Sequence, residues 1–213
     1  MQEFANSPSL RNGIFDLLSS VELATDVNVK LLDYTIQLFK DNGLFSDYYG
    51  YHNIDHELEV TYVTLLSGIH SIKDEFITLD DLNYLYVSAL LHDFDPDKAI
   101  DKPHEKNVIN FILKDKTIQK LLAEANLDPN LICALISRTI YPWRGDIITT
   151  TDKLIQSYLS KSKIKNDKKQ QEHFRELGHF LSVSDRIGGY SLGDFTKAMN
   201  MAKMNAHSSS WHP

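Results

Sequence analysis

Apolar residues in this chain recur every three or four positions, and almost nowhere do they alternate as they would in a strand. Residues 28–41 place Val29, Leu32, Ile36 and Phe39 on one face and end at Asn42-Gly43, a usual helix stop. A second helix is predicted from about Asn53 to Ser71. A third starts at Thr78, where Asp81 three residues on makes a capping-box-like opening, and stops at Asp95-Pro96. Asp101-Lys102-Pro103 opens a fourth through about Lys114, and Asp128-Pro129 opens another, since aspartate caps well and proline suits the first helical position. Residues 149–160 read as helical, and the polar run Lys161–Gln171 as a solvated loop or exposed first turn. A further helix is expected from Glu172 to about Gly188-Gly189, with a short one at 194–205 and a frayed tail at 206–213. With no repeat and no linker, the pattern predicts an all-α fold. It is one helical-bundle domain over residues 1–213, with its core at about 28–190.

Composition narrows the function by exclusion. Hydrophobic residues make up 42% and charged residues 24%, with a net charge of -7 and a pI near 5.7. No Lys/Arg cluster is flanked by aromatics, so a nucleic-acid polymer is not the expected partner. No stretch approaches a membrane span, and the N-terminal residues carry neither a basic nor an apolar leader segment. The lone Cys133 lies in the apolar run 131–136, which reads as a buried small hydrophobe in a reducing compartment. The expectation is a cytoplasmic protein with no membrane partner.

Two helical stripes break the apolar rule. Leu82, Leu85 and Ala89 lead by helical steps to His92-Asp93, which therefore face inward at a helix C-terminus, where the macrodipole favours a cation. Phe174, Leu177 and Leu181 lead likewise to Asp185, a carboxylate too costly to bury unpaired. A third element, Tyr51-His52-Asn53-Ile54-Asp55-His56, puts two histidines four apart, with Asn53 as N-cap and His56 in the first turn. Asp55 is a capping charge or an acceptor for a ligand imidazole. Inward His and Asp side chains from three separate elements point to a divalent metal site with His56, His92, Asp93 and Asp185 as ligands.

A set of two imidazoles and two carboxylates suits Mn, Mg, Zn or Fe, and Asp93 can bridge to a second ion, so the expectation is one or two ions per site. Such an ion lowers the pKa of bound water, which makes phosphate-ester hydrolysis the reaction class this set serves best. The chemistry counts Asp93 as a catalytic group as well as a ligand.

The order H…HD…D resembles the HD-domain metal-dependent phosphohydrolase superfamily, an all-helical fold. More narrowly, Tyr51-His52-Asn53-x-x-His56-x-x-x-Val60 resembles the signature of class I cyclic nucleotide phosphodiesterases, over about residues 28–190. The resemblance implies that His56, His92, Asp93 and Asp185 hold the metal and that His52 donates a proton to the leaving oxygen. There are departures. Those phosphodiesterases have a further His shortly after the HD pair, where Asp95-Pro96 stands here, and their catalytic domains are longer. No purine-reading glutamine can be placed. Relatives with extra His ligands would use His104, which otherwise reads as a surface or capping histidine.

Arg138 and Tyr141, with Trp143 nearby, are candidate substrate contacts, since an arginine grips phosphate and an aromatic ring stacks on a base. The expected substrate is a small phosphorylated molecule, a nucleotide by preference. The competing class is a catalytically silent fold of the same kind that senses a nucleotide or metal.

Overall fold

The computed structural model describes residues 7–44, 52–97, 103–141 and 143–191, which form nine α-helices and no β-strand. In chain order these are α1 (Ser7–Ser20), α2 (Asp26–Asp41), α3 (Ile54–Ile72), α4 (Leu79–Leu91), α5 (Glu105–Lys114), α6 (Lys116–Glu124), α7 (Pro129–Ser137), α8 (Asp146–Leu159) and α9 (Lys168–Ser191). The all-α expectation holds. None of these helices is long and apolar enough to cross a membrane.

Capping fixes where the central helices begin. Asn53 accepts the Asp55 and His56 amides at 2.9 and 3.1 Å, which starts α3. Thr78 and Asp81 form the predicted capping box of α4: the Thr78 hydroxyl accepts the Asp81 amide at 3.1 Å, and the Asp81 carboxylate accepts the Thr78 amide at 2.9 Å. Asp128 accepts the Asn130 amide at 2.8 Å, with Pro129 in the first turn of α7.

Three boundaries differ from expectation. The third helix stops at Leu91, a turn before Asp95-Pro96, and leaves His92 as its C-cap. The last long helix starts a turn early, because Asp167 accepts the Gln170 amide at 3.0 Å and the polar Lys168–Gln171 segment has good helix formers. It then continues through Gly188-Gly189 to Ser191. Two helices, α1 and α6, were not anticipated; their stripes are Leu10, Ile14 and Leu18, and Ile118, Leu121 and Leu122, all buried. The expected helix at 194–205, the tail at 206–213, Tyr51 and the Asp101-Lys102 opening lie outside the described residues.

Named contacts give the helix directions. Asp81 meets His173, Tyr84 meets Phe174 edge-to-face, and His92 meets Asp185, so α4 and α9 run parallel and in register. The 81-to-92 and 173-to-185 spans rise by about 17 and about 18 Å, so the two helices keep step over the whole contact. Helix α3 runs the other way. Its Gly68 packs on Leu82 near the start of α4, and its His56 faces Asp93 just past the end. A Cβ on Gly68 would fall 2.5 Å from the Leu82 Cδ1 atom, so the approach of α3 to α4 is close there. Helix α7 packs on α4, α8 and α9, and its Cys133 is wholly buried, as expected. Burial, aided by the charge of Asp128, pushes that thiol up to about 12.

The far end of the α4–α9 pair is held by Asp81, whose Oδ2 lies 2.9 Å from His173 Nε2. Thr78→Ala should therefore cost about 1 kcal/mol of stability through loss of the cap. Urea unfolding followed by circular dichroism checks this, and an unchanged midpoint would show that the cap does not set the start of α4.

Candidate metal centre

The helix directions bring the start of α3, the end of α4 and the late part of α9 to one place. His56, capped into the first turn of α3, is 1% exposed, and His92 at the end of α4 is 0% exposed. Asp93 and Asp185 keep a small open edge, with side chains 15% and 20% exposed. Leu177 and Leu181, both wholly buried, lead along α9 to Asp185, the continuation that the stripe predicts.

The donor atoms stand in a ring. His56 Nε2 is 3.4 Å from Asp93 Oδ2 and 3.4 Å from Asp185 Oδ1. His92 Nε2 is 3.4 Å from the same Asp93 oxygen and 3.5 Å from the same Asp185 oxygen. All four separations exceed the roughly 2.7–2.9 Å of a charge-assisted hydrogen bond. They match two donors each about 2.1 Å from a shared cation, which lie about 3.4 Å apart at the tetrahedral angle and about 3.0 Å apart at a right angle. His92 Nε2 is also buried and makes no hydrogen bond among the described residues. Ligand atoms of His56, His92 and Asp93 lie within 4.8 Å of one another, so these residues can hold a metal ion, with Asp185 alongside.

A residue that the sequence did not single out completes the arrangement. Glu57, wholly buried on α3, puts Oε2 3.2 Å from His92 Nδ1, and its Oε1 accepts the Asp93 amide at 3.3 Å. His92 Nδ1 is also 2.8 Å from the Ala89 carbonyl, which can only accept, so Nδ1 carries the proton. That tautomer turns the lone pair of Nε2 toward Asp93 and Asp185, as a ligand imidazole requires. In the sequence Glu57 passes for an acidic first-turn residue; the available signal was its place directly after His56, among the buried positions of α3.

Charge follows from this geometry. Burial would push the His56 imidazolium down, yet contacts with Asp185 and Asp93 outweigh it and hold the group at about 9. Burial likewise opposes the charge on His92, and Asp93 and Glu57 raise it well above its ordinary value. Both aspartates are held below the usual carboxylate range despite burial, Asp93 chiefly by His92 and Asp185 chiefly by His56. Glu57 is raised by burial. The pocket thus favours positive charge in its middle, from protons or from a cation.

His52 lies beside this group, its ring centroid 5.8 Å from that of His56 in an edge-on arrangement. Burial pulls its imidazole down to about 4, against the upward pull of Asp93. Arg138 and Tyr141 are not members of the donor ring: Arg138 reaches Ser182 on α9, one turn before Asp185, and exposed Tyr141 lies beneath Arg186. His104 is exposed at the N-cap position of α5 with no capping hydrogen bond from its side chain, matching the surface alternative. His173 pairs with Asp81 beside the N-terminus of α4, and His179 is exposed.

If Glu57 orients His92, Glu57→Gln should lower divalent-metal affinity by about 10- to 100-fold with the helical fold retained. Titration calorimetry with Mn reads this directly, and wild-type affinity in the variant would remove Glu57 from the centre. Compared with known protein families, curated proteins and solved structures, the chain matches none.

Proposed function

We propose that this chain is a divalent-metal-dependent phosphohydrolase of the HD type, acting on a small phosphate ester, by preference a nucleotide. The observation that carries the reading is the ring of four donors at 3.4–3.5 Å, longer than a charge-assisted hydrogen bond and within the spacing of ligands around one ion. His56, His92, Asp93 and Asp185 would hold the metal, and Glu57 would fix the tautomer of His92. A bound divalent cation supplies charge neutralisation at the phosphoryl group and a water of lowered pKa.

The remaining work falls to the chain itself. The two aspartates close the ring on its open side, where an ester can enter, while α3 and α4 wall off the other side. His52, beside His56, is the group to protonate the leaving oxygen. A bound phosphoryl group adds its negative charge to those of Asp93 and Asp185, which favours the protonated imidazole that this role needs.

Two substitutions separate the roles. Asp93→Ala should abolish both metal retention and turnover across a panel of cyclic nucleotides, nucleoside mono- and triphosphates and an aryl phosphodiester, supplied with Mn, Mg or Zn. Full metal occupancy and rate in that variant would overturn the site assignment. His52→Ala should lower nucleotide turnover by about 10²- to 10⁴-fold with normal metal content. The aryl ester, whose leaving group needs no proton, should lose far less. Equal loss on both substrates would remove His52 from the acid role. Metal uptake by the wild-type protein with no turnover in any well would favour a silent sensor.

A further inference from the structure

Two arginines meet one turn along α9 from the donor ring. Arg138, at the C-cap of α7, directs Nη1 to the Ser182 hydroxyl at 3.4 Å and Nη2 to His179 Nδ1 at 3.1 Å. Arg186 donates from Nη1 to the Ser182 carbonyl at 2.6 Å and also contacts the Ser182 hydroxyl. Each guanidinium is braced by a ring: Arg138 lies 3.6 Å over the Trp143 centroid and Arg186 lies 5.0 Å over that of Tyr141. The two positive groups thus converge on one wholly buried serine.

Like charges held together need a reason. Neither arginine has a carboxylate within ion-pair distance among the described residues. The acidic group that most favours Arg138, Asp152, is paired with Arg175 at 3.5 Å. Burial and the charge of Arg186 both disfavour the Arg138 guanidinium, and Asp152 offsets them only in part. An anion between the two forks would offset the remainder, since guanidinium groups suit bidentate contact with phosphoryl oxygens.

The placement says which anion. Ser182 precedes Asp185 by three residues on the same helix, so the two are neighbours about 5–6 Å apart at Cβ. Arg186 directly follows Asp185 in sequence. A group bound by the arginines therefore sits next to whatever is held at Asp185. We propose that Arg138 and Arg186 form an anion clamp beside the metal centre, and that it takes a second phosphoryl group of the substrate. The substrate class then narrows to phosphate esters that carry another phosphoryl group near the scissile one. This narrowing rests on the metal-centre reading, whereas the clamp itself does not.

The test uses inorganic pyrophosphate as the probe, with the full chain kept metal-free in EDTA, so that binding reports on the arginines alone. Wild-type protein should bind it, and Arg138→Gln and Arg186→Gln should each weaken binding by about 10- to 100-fold. Arg11→Gln, whose guanidinium pairs with Asp33 between α1 and α2, should leave binding unchanged. No binding by the wild-type protein, or undiminished binding in both clamp variants, overturns the clamp. Mn titration of the same proteins is a separate readout and should be alike in all four. Failure of wild-type protein to take Mn would sink the metal centre and leave the anion site standing. Should the clamp variants not fold, phenylglyoxal labelling of wild-type protein, mapped by peptide mass, replaces them. Pyrophosphate must slow labelling at Arg138 and Arg186, and unslowed labelling at both overturns the proposal.

Discussion

The structure turns on the burial of carboxylates and imidazoles at the junction of three helices. Removing one such charge from water without a partner costs several kcal/mol, so Asp93, Asp185, Glu57, His56 and His92 can sit there only as a matched set. Each belongs to a helix, and a slip of one residue turns a side chain by about 100°. The register of α3, α4 and α9 is therefore under one shared constraint. The cap at Asn53 fixes His56, the parallel packing of α4 on α9 fixes His92 against Asp185, and the Asp81–His173 contact anchors the far end of that pair. Stability and site geometry are here the same problem.

Within the set, the two carboxylates nearest the open edge and the one behind it behave differently. Asp93 and Asp185 face two imidazoles each and are held ionised. Glu57 faces only the Nδ1 side of His92 and the Asp93 amide, and burial raises it. The charge available for a cation thus lies on the exposed side of His92, while Glu57 holds the ring from the enclosed side. This division makes His92 a joint between the helix core and the donor ring: Nδ1 faces Glu57 and the Ala89 carbonyl, and Nε2 faces Asp93 and Asp185.

Helical periodicity missed α1 and α6, and for the polar run Lys161–Gln171 it left open a solvated loop or an exposed first turn, of which Lys168–Gln171 is the first turn of α9. The four donors were legible because His92-Asp93 and Asp185 replace the next apolar residue on stripes that were otherwise purely core. Glu57 was not legible. An acid in a first turn is common near a helix dipole, and only the packing of α4 onto that turn reveals that it faces inward. Arg186 was hidden likewise, since its partners Ser182 and Tyr141 come together only when α9 lies along the segment after α7.

Asp95 shows how the centre stays limited to two imidazoles and two aspartates. The phosphodiesterase signature that the sequence resembles has a further histidine just past the HD pair, and here Asp95 stands in that region. It is wholly buried and its oxygens are engaged: Oδ1 accepts the Asp97 amide at 2.9 Å, and Oδ2 accepts the His104 amide at 2.9 Å and the Asn107 side chain at 3.2 Å. The carboxylate thereby ties the turn after α4 to the start of α5, with no lone pair directed at the donor ring in any of these contacts. A residue that would have extended the ligand set instead stiffens the backbone next to it. The turn after α4 is thus held twice, the Asp93 amide by Glu57 and the Asp95 carboxylate by the His104 amide.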